Sequence, residues 1–136
     1  MEVYKFGPND IYVEDDLVFA VVHGVASLEA TKGYLALTSE VAARHGQVVQ
    51  LTDVTWGFGL APETRRYAAE WAKSNHVAAS AVFGASAPTR AMLLLVTRAM
   101  NLVGGYKSNT YFFATEVDAR NWLDPFRLPA FRKKRP

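Results

Sequence analysis

The chain alternates between short stretches rich in β-branched and aromatic residues and longer stretches with apolar residues at helical spacing. Ile11-Tyr12-Val13 and Leu17-Val18-Phe19-Ala20-Val21-Val22 read as two strands, with Glu14-Asp15-Asp16 as the turn between them. So short a connection makes them an antiparallel hairpin, which Gly24 ends. Ser27 then suits a helix N-cap, and Glu29 stands in the first turn, where the helix dipole favours negative charge. Leu28, Tyr34, Leu35, Leu37, Val41 and Ala42 form the apolar face of that helix, and Gly46 closes it. Gly33 lies inside it, where glycine costs about 1 kcal/mol relative to alanine.

Gln47 to Asp53 reads as the third strand and Val54 to Leu60 as a loop. Pro62 fits the first turn of a second helix, reaching about Asn75, with Tyr67, Ala68, Trp71 and Ala72 on its buried face. Arg65, Arg66, Glu70 and Lys73 take its wet face. Val77 to Gly84 is a fourth strand. Pro88 and Thr89 open a third helix, apolar over Met92 to Val96 and at Met100, Leu102 and Val103, and ended by Gly104-Gly105. Thr110 to Ala114 is the fifth strand. Thr115 and Asp118 resemble a capping pair for a short last helix through Trp122 and Leu123, which Pro125 stops.

The predicted order is β-β-α-β-α-β-α-β-α. It implies a single α/β domain: a mixed, mostly parallel five-stranded sheet packed with four helices. The domain spans residues 1–124, and residues 125–136 form a basic C-terminal tail.

Half of the 136 residues are hydrophobic, enough for a core without disulfides or metal. With no cysteine, thiolate catalysis, cysteine-ligated zinc and iron–sulfur clusters are excluded. The longest apolar runs, Leu17 to Val22 and Ala91 to Val96, fall far short of the roughly 18 residues of a membrane span. The N-terminus has no apolar core of signal-peptide length. A cytoplasmic location is therefore expected. The net charge of +2 conceals an asymmetry, because five basic residues (Arg127, Arg132, Lys133, Lys134 and Arg135) follow the last acid, Asp124. Without them, ten basic residues face thirteen acidic ones. A basic surface for tracking nucleic acid is not indicated.

Four pieces of the chain together resemble the STAS family of anti-sigma-factor antagonists, in its SpoIIAA-like branch related to the Sec14 fold. They are the N-terminal hairpin followed by a helix, and the strand Val48 to Asp53 running into an irregular loop. The third is Ser80-Ala81-Val82-Phe83-Gly84 before the apolar third helix. The fourth is Tyr111 to Leu123, an aromatic strand leading into a short helix with Trp122-Leu123 at its end. They cover residues 10–124. The resemblance implies a non-enzymatic switch or binding module. In the antagonists a serine opening the second helix is phosphorylated; here Trp56 to Pro62 carries no hydroxyl, so no phosphosite is carried over.

The loop Trp56-Gly57-Phe58-Gly59-Leu60 follows a parallel strand, on the side where open α/β sheets bind ligands. Trp56, Phe58 and Leu60 either cap the core or anchor a partner or ligand. Asp53 either faces that cleft or accepts hydrogen bonds in the following turn. His45 and His76 sit at helix ends, where they complement the dipole. No two histidines have metal-ligand spacing on one helix, and neither metal nor cofactor is expected. Ser86 lacks the second glycine of a nucleophile elbow and suits a helix cap. In the tail, Arg132, Lys133, Lys134 and Arg135 form either a solvated, mobile end or contacts to an acidic protein, anionic lipid or nucleic acid.

The expected function is a regulatory protein-interaction module, its partner another protein or a second copy of itself. The alternative is binding of a hydrophobic small molecule or lipid in a Sec14-like cavity, which needs about 300 Å³ of space. No catalytic constellation points to an enzyme.

Overall fold

A computed structural model describes residues 1–104 and 110–133, without the side chains of residues 96 and 99–104. Among the described residues, eight strands and four helices follow one another as β1 (Glu2–Phe6), β2 (Asn9–Glu14), β3 (Leu17–Val21), β4 (Gly24–Ala26), α1 (Leu28–His45), β5 (Val49–Asp53), β6 (Phe58–Leu60), α2 (Pro62–Ser74), β7 (Ala79–Phe83), α3 (Ala87–Gly104), β8 (Thr110–Phe113) and α4 (Glu116–Leu123). Two single 3-10 turns, Asp124–Phe126 and Pro129–Phe131, end the described chain.

The main sheet has the order β1-β2-β3-β5-β7-β8. β1, β2 and β3 form an antiparallel meander, and β3, β5, β7 and β8 run parallel. The fold is α/β with a mostly parallel sheet and four helices, but the sheet has six strands and not five. The extra strand is β1, which pairs with β2 from Glu2↔Val13 to Phe6↔Asn9. Its sequence, Glu-Val-Tyr-Lys-Phe, carries charge on an exposed edge, as unpaired edges do. A second correction concerns the loop Val54 to Leu60. Its last three residues form β6, which pairs in parallel with β4 in a separate two-stranded sheet, Gly24↔Phe58 to Ala26↔Leu60. Neither three-residue strand has a local signal, because each exists only through its distant partner.

The predicted caps define the helices. Ser27 Oγ accepts from the Ala30 N–H at 3.1 Å, and Thr115 Oγ1 accepts from the Asp118 N–H at 3.2 Å. Gly46 takes φ +85° and donates its N–H to the Ala42 carbonyl at 2.8 Å. Gly33 has a packing role: a Cβ there would lie 2.6 Å from Phe6 Cδ1. Its bare backbone lets the Phe6 ring of β1 lie against α1, which offsets the helix-propensity cost.

Alternate residues of each strand face opposite sides of the sheet. On one side Val18, Ala20, Val22 and Ile11 pack with Leu37 and Val41 of α1. On the other, Leu17, Val49, Leu51, Ala79 and Ala81 pack with Ala119 and Leu123 of α4. α4 lies directly on β5, β7 and β8. Helices α1, α2 and α3 share the first side, and α2 approaches α1 and α3 more closely than it approaches any strand.

The segment read as a tail docks on the domain as far as Lys133. Asp16, fully buried in the β2–β3 turn, accepts from Arg127 Nε at 2.8 Å, the Leu128 N–H at 2.8 Å and Gln47 Nε2 at 3.1 Å. Phe131 meets His45 edge to face at 5.2 Å.

Candidate functional site

Raising α2 off the sheet leaves space beneath it, and small side chains keep that space open. Ala20 on β3, Ser80 on β7, Ala30 on α1 and Ala68 on α2 border a cavity of about 220 Å³. Apolar walls come from Val22, Val54, Val82 and Leu93, with Phe58 and Leu60 of β6 toward the carboxyl ends of the parallel strands. A second lobe of about 150 Å³ runs toward the opposite strand ends, past Trp71 and Val77. The lobes share Tyr34, Leu35, Gln50, Ala68, Ser80 and Thr97, so they adjoin across these side chains.

Among the described residues no charged side chain lines either lobe. The polar groups present are neutral and come mainly from sheet positions on the helix-covered side. Gln50, Ser80 and Thr110 are direct neighbours across β5, β7 and β8, and Thr52 lies one pleat further along the same face of β5. Gln50 Nε2 reaches Thr38 Oγ1 only at 3.4 Å. Tyr34 stands over this row from α1. Burial pushes its phenol far above the ordinary tyrosine range, against the smaller, opposing influence of the Thr38 and Thr52 hydroxyls beside it. It is a neutral hydroxyl at any physiological pH.

The four residues singled out in the strand–loop region separate into three environments. Phe58 and Leu60 line the cavity. Trp56 is 64% exposed and stacks on His23, ring centres 6.3 Å apart. Asp53 accepts the Thr55 N–H at 2.9 Å in the turn after β5. Of the basic tail residues, Arg132 donates to the Arg127 carbonyl at 2.9 Å, and the Lys133 N–H donates to Asp124 at 2.8 Å. Lys134 and Arg135 lie outside the described residues. So do the side chains of Met100, Leu102 and Val103, on which the apolar reading of α3 partly rests. Ser86 Oγ accepts from the Thr89 N–H at 3.4 Å, at the start of α3.

A third hollow, of about 270 Å³, lies between α4 and the docked C-terminal segment and is lined by Arg120, Arg127, Lys133 and Asp124. Its two arginines are engaged: Arg120 with Glu14 and Glu116, and Arg127 with Asp16. Among the described residues no three His, Asp or Glu side chains are grouped so as to hold a metal ion. No helix among them is long and apolar enough to cross a membrane.

Sequence reasoning missed Gln50, Thr52, Ser80 and Thr97 as cavity residues and treated Tyr34 and Ala68 only as core. A signal was present. Parallel strands covered on both faces normally read as near-continuous apolar runs, whereas β5 carries Gln50 and Thr52, and β7 carries Ser80.

Compared with known proteins, the chain matches no family model and no curated protein.

Proposed function

We propose that this protein binds a neutral, largely apolar small molecule between the sheet and α1–α3. The observation that carries this reading is the cavity of about 220 Å³ with its adjoining lobe, lined among the described residues by no charged side chain. The cavity is smaller than the roughly 300 Å³ expected for a drug- or lipid-sized ligand, but an apolar cavity of about 150 Å³ suffices to hold benzene, so this one accommodates a single substituted ring or a short branched chain and not a whole lipid. A charged ligand would lose its hydration and find no counter-charge among the described lining residues. The position fits the rule that open α/β sheets bind ligands toward the carboxyl ends of their strands. The resemblance to SpoIIAA-like and Sec14-like proteins also supports a binding module over an enzyme.

Filling the cavity tests this reading. Ala68→Leu projects a larger side chain from α2 into the hollow. Native mass spectrometry of protein purified gently from its own cells should show the wild type with one added small neutral mass and Ala68→Leu bare. The variant should also melt at the same temperature as the ligand-free wild type or higher, because added apolar contacts fill a void. An equal added mass on both proteins would place the ligand elsewhere.

A second reading, a protein-interaction surface, is favoured by the solvent-facing Trp56, stacked on His23. Exposed tryptophan is a frequent interface anchor. On this reading Trp56→Ala abolishes co-purification of the partner without lowering the melting temperature, since the ring is mostly in solvent. Unchanged co-purification would count against this surface.

A further inference from the structure

The neck between the two lobes is polar, although the larger lobe is mostly walled by apolar side chains. Gln50 and Ser80 face each other there on adjacent strands, and both belong to the lining of both lobes. Among the described residues, neither the Ser80 hydroxyl nor the Gln50 side-chain carbonyl has a hydrogen-bond partner. Both residues are half-buried, and a polar group partly withdrawn from water onto an apolar wall gains from a hydrogen-bond partner, because leaving it unpaired costs free energy. Valine or alanine at these positions would suit a purely packed sheet face. Instead a hydroxyl, able to donate and accept, lies next to an amide oxygen, able only to accept. Tyr34 adds a hydroxyl that burial keeps protonated.

Resting on the ligand-binding reading above, we infer that Gln50 and Ser80 recognise an uncharged head group that both donates and accepts a hydrogen bond. An alcohol, a phenol or a primary amide meets that requirement. The head sits at the neck, donating to the Gln50 carbonyl and exchanging a hydrogen bond with Ser80. Its apolar body extends between Ala20, Val22, Val82 and Leu93 toward β6. A hydrocarbon of the same shape leaves both protein groups unpaired. A carboxylate brings a full charge where, among the described residues, no cation lines the cavity, and it faces the Gln50 oxygen without a proton to offer.

Calorimetric titration with toluene, benzyl alcohol and benzoate, three probes built on one ring, separates these cases. The wild type should bind benzyl alcohol about five- to tenfold tighter than toluene, as one or two modest net hydrogen bonds provide, and benzoate not measurably. The double variant Ser80→Ala, Gln50→Leu removes both polar partners. It should bind benzyl alcohol no better than toluene, with toluene affinity kept or improved. Each single variant, melted alongside, controls for folding and should lose part of the preference. Equal affinity of the wild type for toluene and benzyl alcohol overturns the head-group inference and leaves the cavity reading standing. So does a preference that survives in the double variant. Failure of all three probes to bind overturns the cavity reading itself.

Discussion

Tyr34 shows how one residue's surroundings set a measurable property. Its ring borders the cavity, and burial holds its phenol above the ordinary value of 10.0. In the unfolded chain the same group ionises near that ordinary value. The stability contributed by keeping it neutral is complete below about pH 10 and is lost as pH rises toward the folded value, because only the unfolded state gains by releasing the proton. Melting temperature should therefore fall steeply above about pH 10. Tyr34→Phe should flatten that fall; identical slopes in the two proteins would show that Tyr34 is not shielded. At this scale the sequence was partly legible. Helical spacing placed Tyr34 on the inward face of α1, but spacing cannot tell a side chain that fills a core from one that borders a void. The same holds for Ala68, whose small size matters only because Ala20, Ala30 and Ser80 also border that space. Asp53 was ambiguous between cleft and turn, and its bond to the Thr55 N–H belongs to the turn.

At the scale of elements, the helices were the most legible part, since their caps are local chemistry. Ser27, Gly46, Pro62 and Thr115 each act within a few residues of their own position. Of the strands that escaped notice, β1 is an edge strand joined to β2 by the tight turn at Gly7-Pro8, with no buried position to mark it, whereas β4 and β6 depend on each other across more than thirty residues. The C-terminal segment was hidden for the same reason. Composition marks it as basic, yet Arg127 is largely spent on Asp16, whose carboxylate is fully buried. Removing one partner of a buried pair leaves an uncompensated charge, which costs about 3 kcal/mol or more. Arg127→Leu should lower stability by about that amount in chemical denaturation and expose the segment after Asp124 to limited proteolysis. A cost below about 0.5 kcal/mol, typical of an exposed pair, would mean that the segment is not held by this contact.

For the whole molecule, the two faces of the sheet do different work. The α4 side is closed, with Leu51, Ala79, Ala81, Ala119 and Leu123 packed to near-zero exposure. The α1–α3 side carries the polar row and the hollow. Such a division concentrates packing where the fold needs rigidity and leaves space at the carboxyl ends of the strands. The account's central claim, that this hollow is a ligand site, is tested most directly by amide NMR during a titration with benzyl alcohol. It predicts shifts confined to the cavity lining, at Ala30, Ala68, Ser80 and Val82, that saturate together and vanish in Ala68→Leu. Shifts centred on His23, Val25 and Trp56, or shifts that persist unchanged in Ala68→Leu, would contradict it.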